Sequence, residues 1–130
     1  MTYKDMTISQ EKEIFVFRIK DFWSAVTHFI GMITAIIGMP ILLIKAASYQ
    51  ASFLSMISFM IFMLSMILLY GASASYHSFH VSNRVDLNLK KIDHSSIFIL
   101  IAGSYTPICL TALKDTVGPM LLTMIWIIAI

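Results

Sequence analysis

Polar and ionisable side chains gather at the end of a long apolar stretch in the middle of this chain. Ser73 and His77 lie there, four residues apart, after about twenty residues without a charge. On a helix this spacing puts both side chains on one face, one turn apart. Asp93 and His94 open the next apolar stretch. Imidazole is a common zinc ligand, and a nearby carboxylate can bind the metal or orient its water, which would suit hydrolysis of an amide or ester.

Two further histidines extend this pattern. His28 follows Thr27 near the start of the first apolar stretch, and His80 lies about one turn beyond His77. Ionisable groups at membrane depth are energetically expensive and often functional. A plainer interpretation is that the histidines hydrogen-bond to lipid headgroups or neighbouring helices, and that Ser73 bonds to a carbonyl of its own helix. Both interpretations stay open on these residues alone.

Apolar segments long enough to cross a bilayer must position these side chains. Of the 130 residues, 58% are hydrophobic and only 12% are charged, which is typical of a membrane protein. The pattern predicts helices over about residues 22–47, 53–79, 92–113 and 117–130. The last run is too short to span the hydrocarbon. We therefore expect an all-α, multi-pass transmembrane bundle with three complete helices and part of a fourth, as a fragment of a longer protein.

The distribution of lysine and arginine predicts the orientation in the membrane. Four basic residues precede the first apolar stretch and three lie between the second and third, against one in each of the other two connections. Basic residues favour the cytoplasmic side. We therefore expect a cytoplasmic N-terminal segment over residues 1–20, a transmembrane domain over residues 21–130 and a cytoplasmic loop over residues 81–91. The histidines would then lie at the cytoplasmic face of the cell membrane.

Charge and cysteine content argue against other classes of protein. The formal net charge of +2 lacks the dense basic face of a nucleic-acid-binding protein. The single cysteine, Cys109, cannot form an intramolecular disulfide. We expect membrane lipids as partners and no nucleic acid, and a homo-oligomer stays an open alternative.

Three motifs, in the expected order, resemble the bacterial hemolysin III family. They are THFIG at 27–31, SASYHSF at 73–79 and RVDLNLKKIDHSSIFILIAGSYTP at 84–107. This family belongs with the progestin and adipoQ receptors and, more distantly, with the alkaline ceramidases. The resemblance implies a membrane bundle of seven helices with a cytoplasmic N-terminus.

The resemblance also implies a zinc site. Relatives hold zinc near the cytoplasmic face with one histidine of a Ser-x-x-x-His motif and two of a His-x-x-x-His motif in the last helix. His77 matches the first of these ligands, with Ser73 as its partner, and Asp93 matches an aspartate close to the metal. Asp93 and Ser73 are thus the candidate catalytic residues, and His28 and His94 are candidate supporting residues. The implied chemistry is hydrolysis of ceramide-like lipid amides.

The sequence departs from the family pattern in the first helix and in its ligand set. Asp21 and Ser24 stand where relatives usually have glutamate and asparagine, and no His-x-x-x-His occurs in the 130 residues. Zinc catalysis normally needs three protein ligands and an open position. We therefore expect a zinc-dependent hydrolase of lipid amides or esters from the complete protein, and an incomplete, inactive site from these residues alone.

Other functions remain open on the sequence. They are a non-enzymatic cytolysin, a receptor-like membrane regulator and a non-functional remnant. A pore former is expected to carry a polar stripe along a whole helix. Here the polar groups gather at one end of each apolar stretch, which favours a site over a channel.

Overall fold

The computed structural model describes residues 20–79 and 82–130, and within these ranges it contains helices and no strand. Three segments are long and apolar enough to cross a membrane. This confirms the predicted all-α bundle of three complete helices and a shorter fourth. The predicted N-terminal segment lies outside the described residues except for Lys20, and so does His80. The helices are α1 (Phe22–Ser48), α2 (Phe53–Ser78), α3 (Asn83–Pro107), which a short π-helical turn (Ile108–Ala112) continues, and α4 (Gly118–Ala129).

Polar side chains cap the first three helices. Asp21, Ser52 and Ser82 each accept a hydrogen bond from the backbone N–H three residues later, a group that the helix itself leaves unpaired. No side chain caps α4, but Pro119 lies in its first turn, where its missing N–H has no partner to lose. The three caps lie just before the long helices, so their positions fix where those helices begin.

α3 begins at Asn83 rather than near Ile92. The predicted loop is therefore wrong over residues 83–91, which are helical. Hydropathy marks only the apolar part of a helix, whereas Ser82 caps this one and Asp86 lies in its first turn, where a negative charge is favourable. The charged early turns extend the helix beyond its apolar stretch.

Small residues let the helices approach one another closely. A Cβ on Gly103 of α3 would lie 2.7 Å from the Ser65 Cβ of α2 and would overlap the Ser65 hydroxyl. A Cβ on Gly31 of α1 would lie 3.0 Å from the Tyr70 ring of α2. Such close approach is typical of helix packing in membranes, where association depends on van der Waals contact rather than on hydrophobic burial.

The large apolar side chains lie on the outside of the bundle. Trp23, Ile44, Phe53 and Ile128 are among those that expose most of their surface. The buried apolar residues are mainly alanines, with Met63 and Cys109. Exposed apolar surface of this extent marks a membrane or protein contact, and together with the length of the helices it fits contact with lipid.

α4 packs against the far end of α3. The Trp126 indole N–H donates a hydrogen bond of 3.1 Å to the Thr106 hydroxyl, which itself donates to the Ala102 carbonyl of α3 at 2.7 Å. A Cβ on Gly118 would overlap the carbonyl oxygens of Cys109 and Leu113. This contact lies about 20 Å beyond Asp93 along α3.

Candidate functional site

The start of α1, the end of α2 and the start of α3 meet at one end of the bundle. The Asp21 N–H donates a hydrogen bond of 3.2 Å to the His77 carbonyl, which joins α1 to α2. The Lys20 Nζ lies 3.1 Å from the Asp86 Oδ2, which joins the residues before α1 to α3. This end of the bundle therefore carries the candidate residues of all three helices.

Two of the predicted histidines, His28 and His77, stack on each other. Their ring centroids lie 5.8 Å apart and their planes differ by 15°. The His28 Nδ1 lies 2.6 Å from the Ser24 carbonyl oxygen, so Nδ1 must be the nitrogen that carries the donated proton. In a neutral imidazole the Nε2 lone pair is then free, as it is in metal-binding histidines whose other nitrogen bonds to a backbone carbonyl.

Tyrosine rings flank this histidine pair. The Tyr70 centroid lies 6.0 Å from that of His28, and the Tyr76 centroid lies 5.1 Å from that of His77. Both imidazoles are half-buried. The pair is therefore enclosed between α1 and α2 rather than directed at lipid.

Ser73 is buried one helical turn deeper than His77 in α2. The hydroxyls of Ser58, Ser65 and Ser75 each donate to a carbonyl of their own helix at 2.7 Å. The Ser73 hydroxyl makes no hydrogen bond within residues 20–79 and 82–130, so the bond back to its own helix that the sequence permits does not form there. The hydroxyl is available to another group.

Asp93 and His94 lie within α3 and point in different directions. The Asp93 side chain is 14% exposed, whereas the His94 side chain is 61% exposed. The His94 Nδ1 lies 2.8 Å from the Lys90 carbonyl oxygen and 3.9 Å from the Asp93 Oδ2. Asp93 follows Asp86 by seven residues, so the two carboxylates share one face of α3. Asp86, at the start of this face, reaches Lys20, which precedes α1.

These residues do not assemble into a metal site by themselves. In the part of the chain that the structure describes, no three His, Cys, Asp or Glu side chains are placed to hold a metal ion together. His28 and His77 form a pair that Asp93 does not complete. A catalytic zinc ion needs a third protein ligand.

Asp21 places a negative charge beside the histidine pair. The Ser24 side chain and backbone N–H both donate to its carboxylate, and these bonds lower the pKa of Asp21 below its ordinary 3.8. The charge of His77 lowers this pKa further, to a smaller extent. Asp21 and Ser24, which depart from the family pattern, thus bond to each other at the start of α1.

Sequence reasoning missed the contacts that join these helices. The Lys20 Nζ lies 4.2 Å from the centre of the Tyr76 ring, in addition to its ion pair with Asp86. Residues 20 and 86 are far apart in the sequence, and no spacing pattern relates them. Only the contact of Tyr76 with His77 could have been expected from the sequence, because the two residues are neighbours.

Comparisons with known proteins identify relatives of this chain. The sequence model of a family described as Haemolysin-III related matches residues 17–130. Over 107 residues, the chain is 43% identical to the hemolysin-3 homolog of Bacillus subtilis (strain 168) and 39% identical to hemolysin-3 of Bacillus cereus. The alignments cover 82% of this chain but 49% and 48% of these relatives, so the chain spans about half the length of the curated relatives that it matches. No solved structure matches it.

Proposed function

This chain belongs to the haemolysin-III-related family of membrane proteins, and from that premise we propose that the complete protein is a zinc-dependent hydrolase of lipid amides or esters. The observation that supports this most is the stack of His28 on His77, one turn from the buried residue Ser73. Polar groups in such a place have an energetic cost that a ligand offsets.

His77 is the residue that we assign to the metal. Its ring makes no hydrogen bond within the described ranges, although it is half-buried. His28 has one nitrogen bonded to the Ser24 carbonyl and supports His77 through the stack. The nitrogens of this half-buried imidazole therefore stay accessible to a ligand.

The described residues do not complete a zinc site, and the proposal takes the other ligands from residues outside this chain. Bound zinc would lower the pKa of a water and polarise the substrate carbonyl. We assign Asp93 as the proton acceptor because its carboxylate faces inward, and Ser73 as a hydroxyl that supports the site.

Membrane lipids are the proposed substrates, at the cytoplasmic face of the cell membrane. Orientation follows from the basic residues at this end of the bundle. A groove of about 440 Å³ opens between α1 and α2, lined by residues that include Phe29, Met32 and Ala74, with Ser75 and Ser78. The lining residues Phe29 and Ser78 lie in the same helical turns as His28 and His77, so an acyl chain in this groove would lie at the depth of the histidine pair.

Zinc content of the complete protein tests this proposal. We expect about one zinc per chain in the wild type, its loss in His77→Ala and its retention in His94→Ala, because His94 is directed outward. Hydrolysis of a ceramide-like amide in lipid vesicles should follow the metal. Equal zinc in the wild type and in His77→Ala would overturn the assignment of His77.

The printed name of the Bacillus cereus relative, hemolysin-3, favours a second candidate, a membrane-lytic protein without catalysis. A receptor-like regulator is the other non-enzymatic alternative. Release of a dye from lipid vesicles separates lysis from hydrolysis. Equal release by the wild type and by His77→Ala, without cleavage of lipid, would support the lytic candidate over the hydrolase.

A further inference from the structure

Lys20, Tyr76 and Asp86 connect three helices next to the histidine pair, and we propose that they form a bracket that holds His28 and His77 in register. Lys20 precedes α1, Tyr76 lies in the last turn of α2, and Asp86 lies in the first turn of α3. The Lys20 Nζ is 3.1 Å from the Asp86 Oδ2 and 4.2 Å from the centre of the Tyr76 ring. One cation thus contacts both neighbouring helices.

The bracket is connected to His77 by two contacts. Lys20 is followed by Asp21, whose N–H bonds to the His77 carbonyl at 3.2 Å. Tyr76 is followed by His77, and their ring centroids are 5.1 Å apart. A displacement of the Lys20 ammonium would therefore be transmitted to the backbone of His77 and to one face of its ring.

Partial burial makes the bracket stronger than an ordinary surface ion pair. The side chains of Lys20 and Asp86 are only 23% and 16% exposed. Exposed ion pairs contribute little because water and salt screen them, whereas shielded pairs are costly to break from one side. The Tyr76 ring adds a cation–π contact, which gains strength when the cation loses water.

Beyond the bracket, small and flexible residues line part of the α1–α2 interface. Gly31, Ala35 and Gly38 line a cavity of about 350 Å³ with Met63 and Tyr70. Contacts of small and flexible apolar residues tolerate sliding better than directional polar contacts do. A shift of α1 by one turn, about 5.4 Å, would separate rings whose centroids are 5.8 Å apart. The bracket opposes this shift.

Solid-state NMR of the protein in lipid bilayers, labelled with ¹³C,¹⁵N-histidine, measures the stack directly. A through-space cross peak should join the rings of His28 and His77 and should be assigned by its loss in His28→Ala and in His77→Ala. We expect Lys20→Glu to reduce the stacked population about fivefold, which corresponds to about 1 kcal/mol, with a matching loss of this cross peak.

Matched variants separate the bracket from general stability. Tyr76→Phe keeps the ring face and should keep the cross peak, whereas Tyr76→Leu should weaken it. Asp86→Lys should weaken it as well, and the double exchange of Lys20→Glu with Asp86→Lys should recover at least part of it. Where Lys20→Glu does not accumulate in membranes, Lys20→Met takes its place. An undiminished cross peak in Tyr76→Leu and in the Lys20 variant would overturn the proposal.

The positioning effect does not depend on zinc, but its consequence for metal affinity rests on the proposed function. If His77 binds zinc, the variants that weaken the cross peak should also weaken zinc binding, and Tyr76→Phe should not. A wild-type protein without zinc but with the predicted cross-peak pattern would refute the hydrolase and support the bracket. If zinc is lost in His77→Ala but the cross peak is unchanged in all bracket variants, the zinc assignment is supported and the bracket is refuted.

Discussion

The interface between α2 and α3 and the histidine end of the bundle both bury polar side chains, but the two regions satisfy them differently. In the interface, Ser58, Ser65 and Ser96 each donate to a carbonyl of their own helix, at 2.6 to 2.7 Å. At the histidine end, the Ser73 hydroxyl and the His77 ring make no hydrogen bond within the described residues. The serines of the first region are satisfied by their own helices, whereas these two groups of the second are not.

This difference follows from the energetics of polar groups in membranes. A serine that bonds to its own helix behaves as a small residue, because its hydroxyl is satisfied wherever the helix lies. It then permits the close approach that Ser65 and Gly103 show. The Ser73 hydroxyl, by contrast, makes no such bond within the described residues, although Ser73 itself is only 5% exposed. The interface therefore serves close packing, whereas the histidine end carries two polar groups without a hydrogen bond in the described residues.

Substitution of Gly103 should produce the largest effect on stability. A Cβ there would lie 2.7 Å from that of Ser65, so α2 and α3 would have to separate. We expect Gly103→Ala to lower the free energy of unfolding by about 1–3 kcal/mol, the usual range for overpacking. Unfolding by denaturant in mixed detergent micelles measures this change.

Gly38 provides the matched control for Gly103. Its added Cβ would meet only the flexible end of Met63, at 3.5 Å, so Gly38→Ala should be near neutral or stabilising. Equal losses of stability in the two variants would contradict the difference in packing. Part of the loss in Gly103→Ala should be recovered by Ser65→Gly, which removes the opposing Cβ.

The fold could be predicted from the sequence where one physical signal coincides with another. α1 and α2 begin at the polar caps Asp21 and Ser52, and the apolar runs begin at the same places. The hydropathy pattern therefore locates the starts of both helices. α3 was missed over residues 83–91 because its early turns are charged and only Ser82 signals its start. Hydropathy indicates which part of a helix lies in an apolar environment, not where the helix begins and ends.

The candidate site could be predicted only in part. Successive membrane spans run in opposite directions, so the start of the first and the end of the second lie at the same end of the bundle. His28 and His77 occupy these positions, and the structure brings the two together. Their stack and the contact of Lys20 with Asp86 depend on how each helix is rotated and where it slides, which single-sequence patterns do not specify. Asp93 faces inward as its polarity suggests, but it does not complete a metal site in the described part of the chain.

Removal of the Ser73 hydroxyl should have a smaller effect, opposite in sign. Because that hydroxyl makes no hydrogen bond in the described ranges, Ser73→Ala loses no such bond and gains helix propensity, and should raise the free energy of unfolding by about 0.5 kcal/mol. Ser65→Ala removes a hydroxyl that is already satisfied and should not stabilise the bundle. The same unfolding assay compares the two. A loss of stability in Ser73→Ala would show that its hydroxyl has a structural partner and would remove the contrast between the regions.

The smallest effect concerns pH and should be confined to the histidine end, because Ser58, Ser65, Ser96 and Gly103 carry no ionisable group. The Ser24 bonds lower the pKa of Asp21 in the folded chain below 3.8, so the stabilisation they give is complete above that pH and is lost as pH falls through the lowered pKa. Asp21→Asn still caps α1 but cannot titrate. Its stability should therefore fall less steeply than that of the wild type between about pH 4 and 2. Melting curves of both proteins over this range test the point, and parallel curves would mean that the Asp21–Ser24 contact does not persist in the membrane-embedded protein.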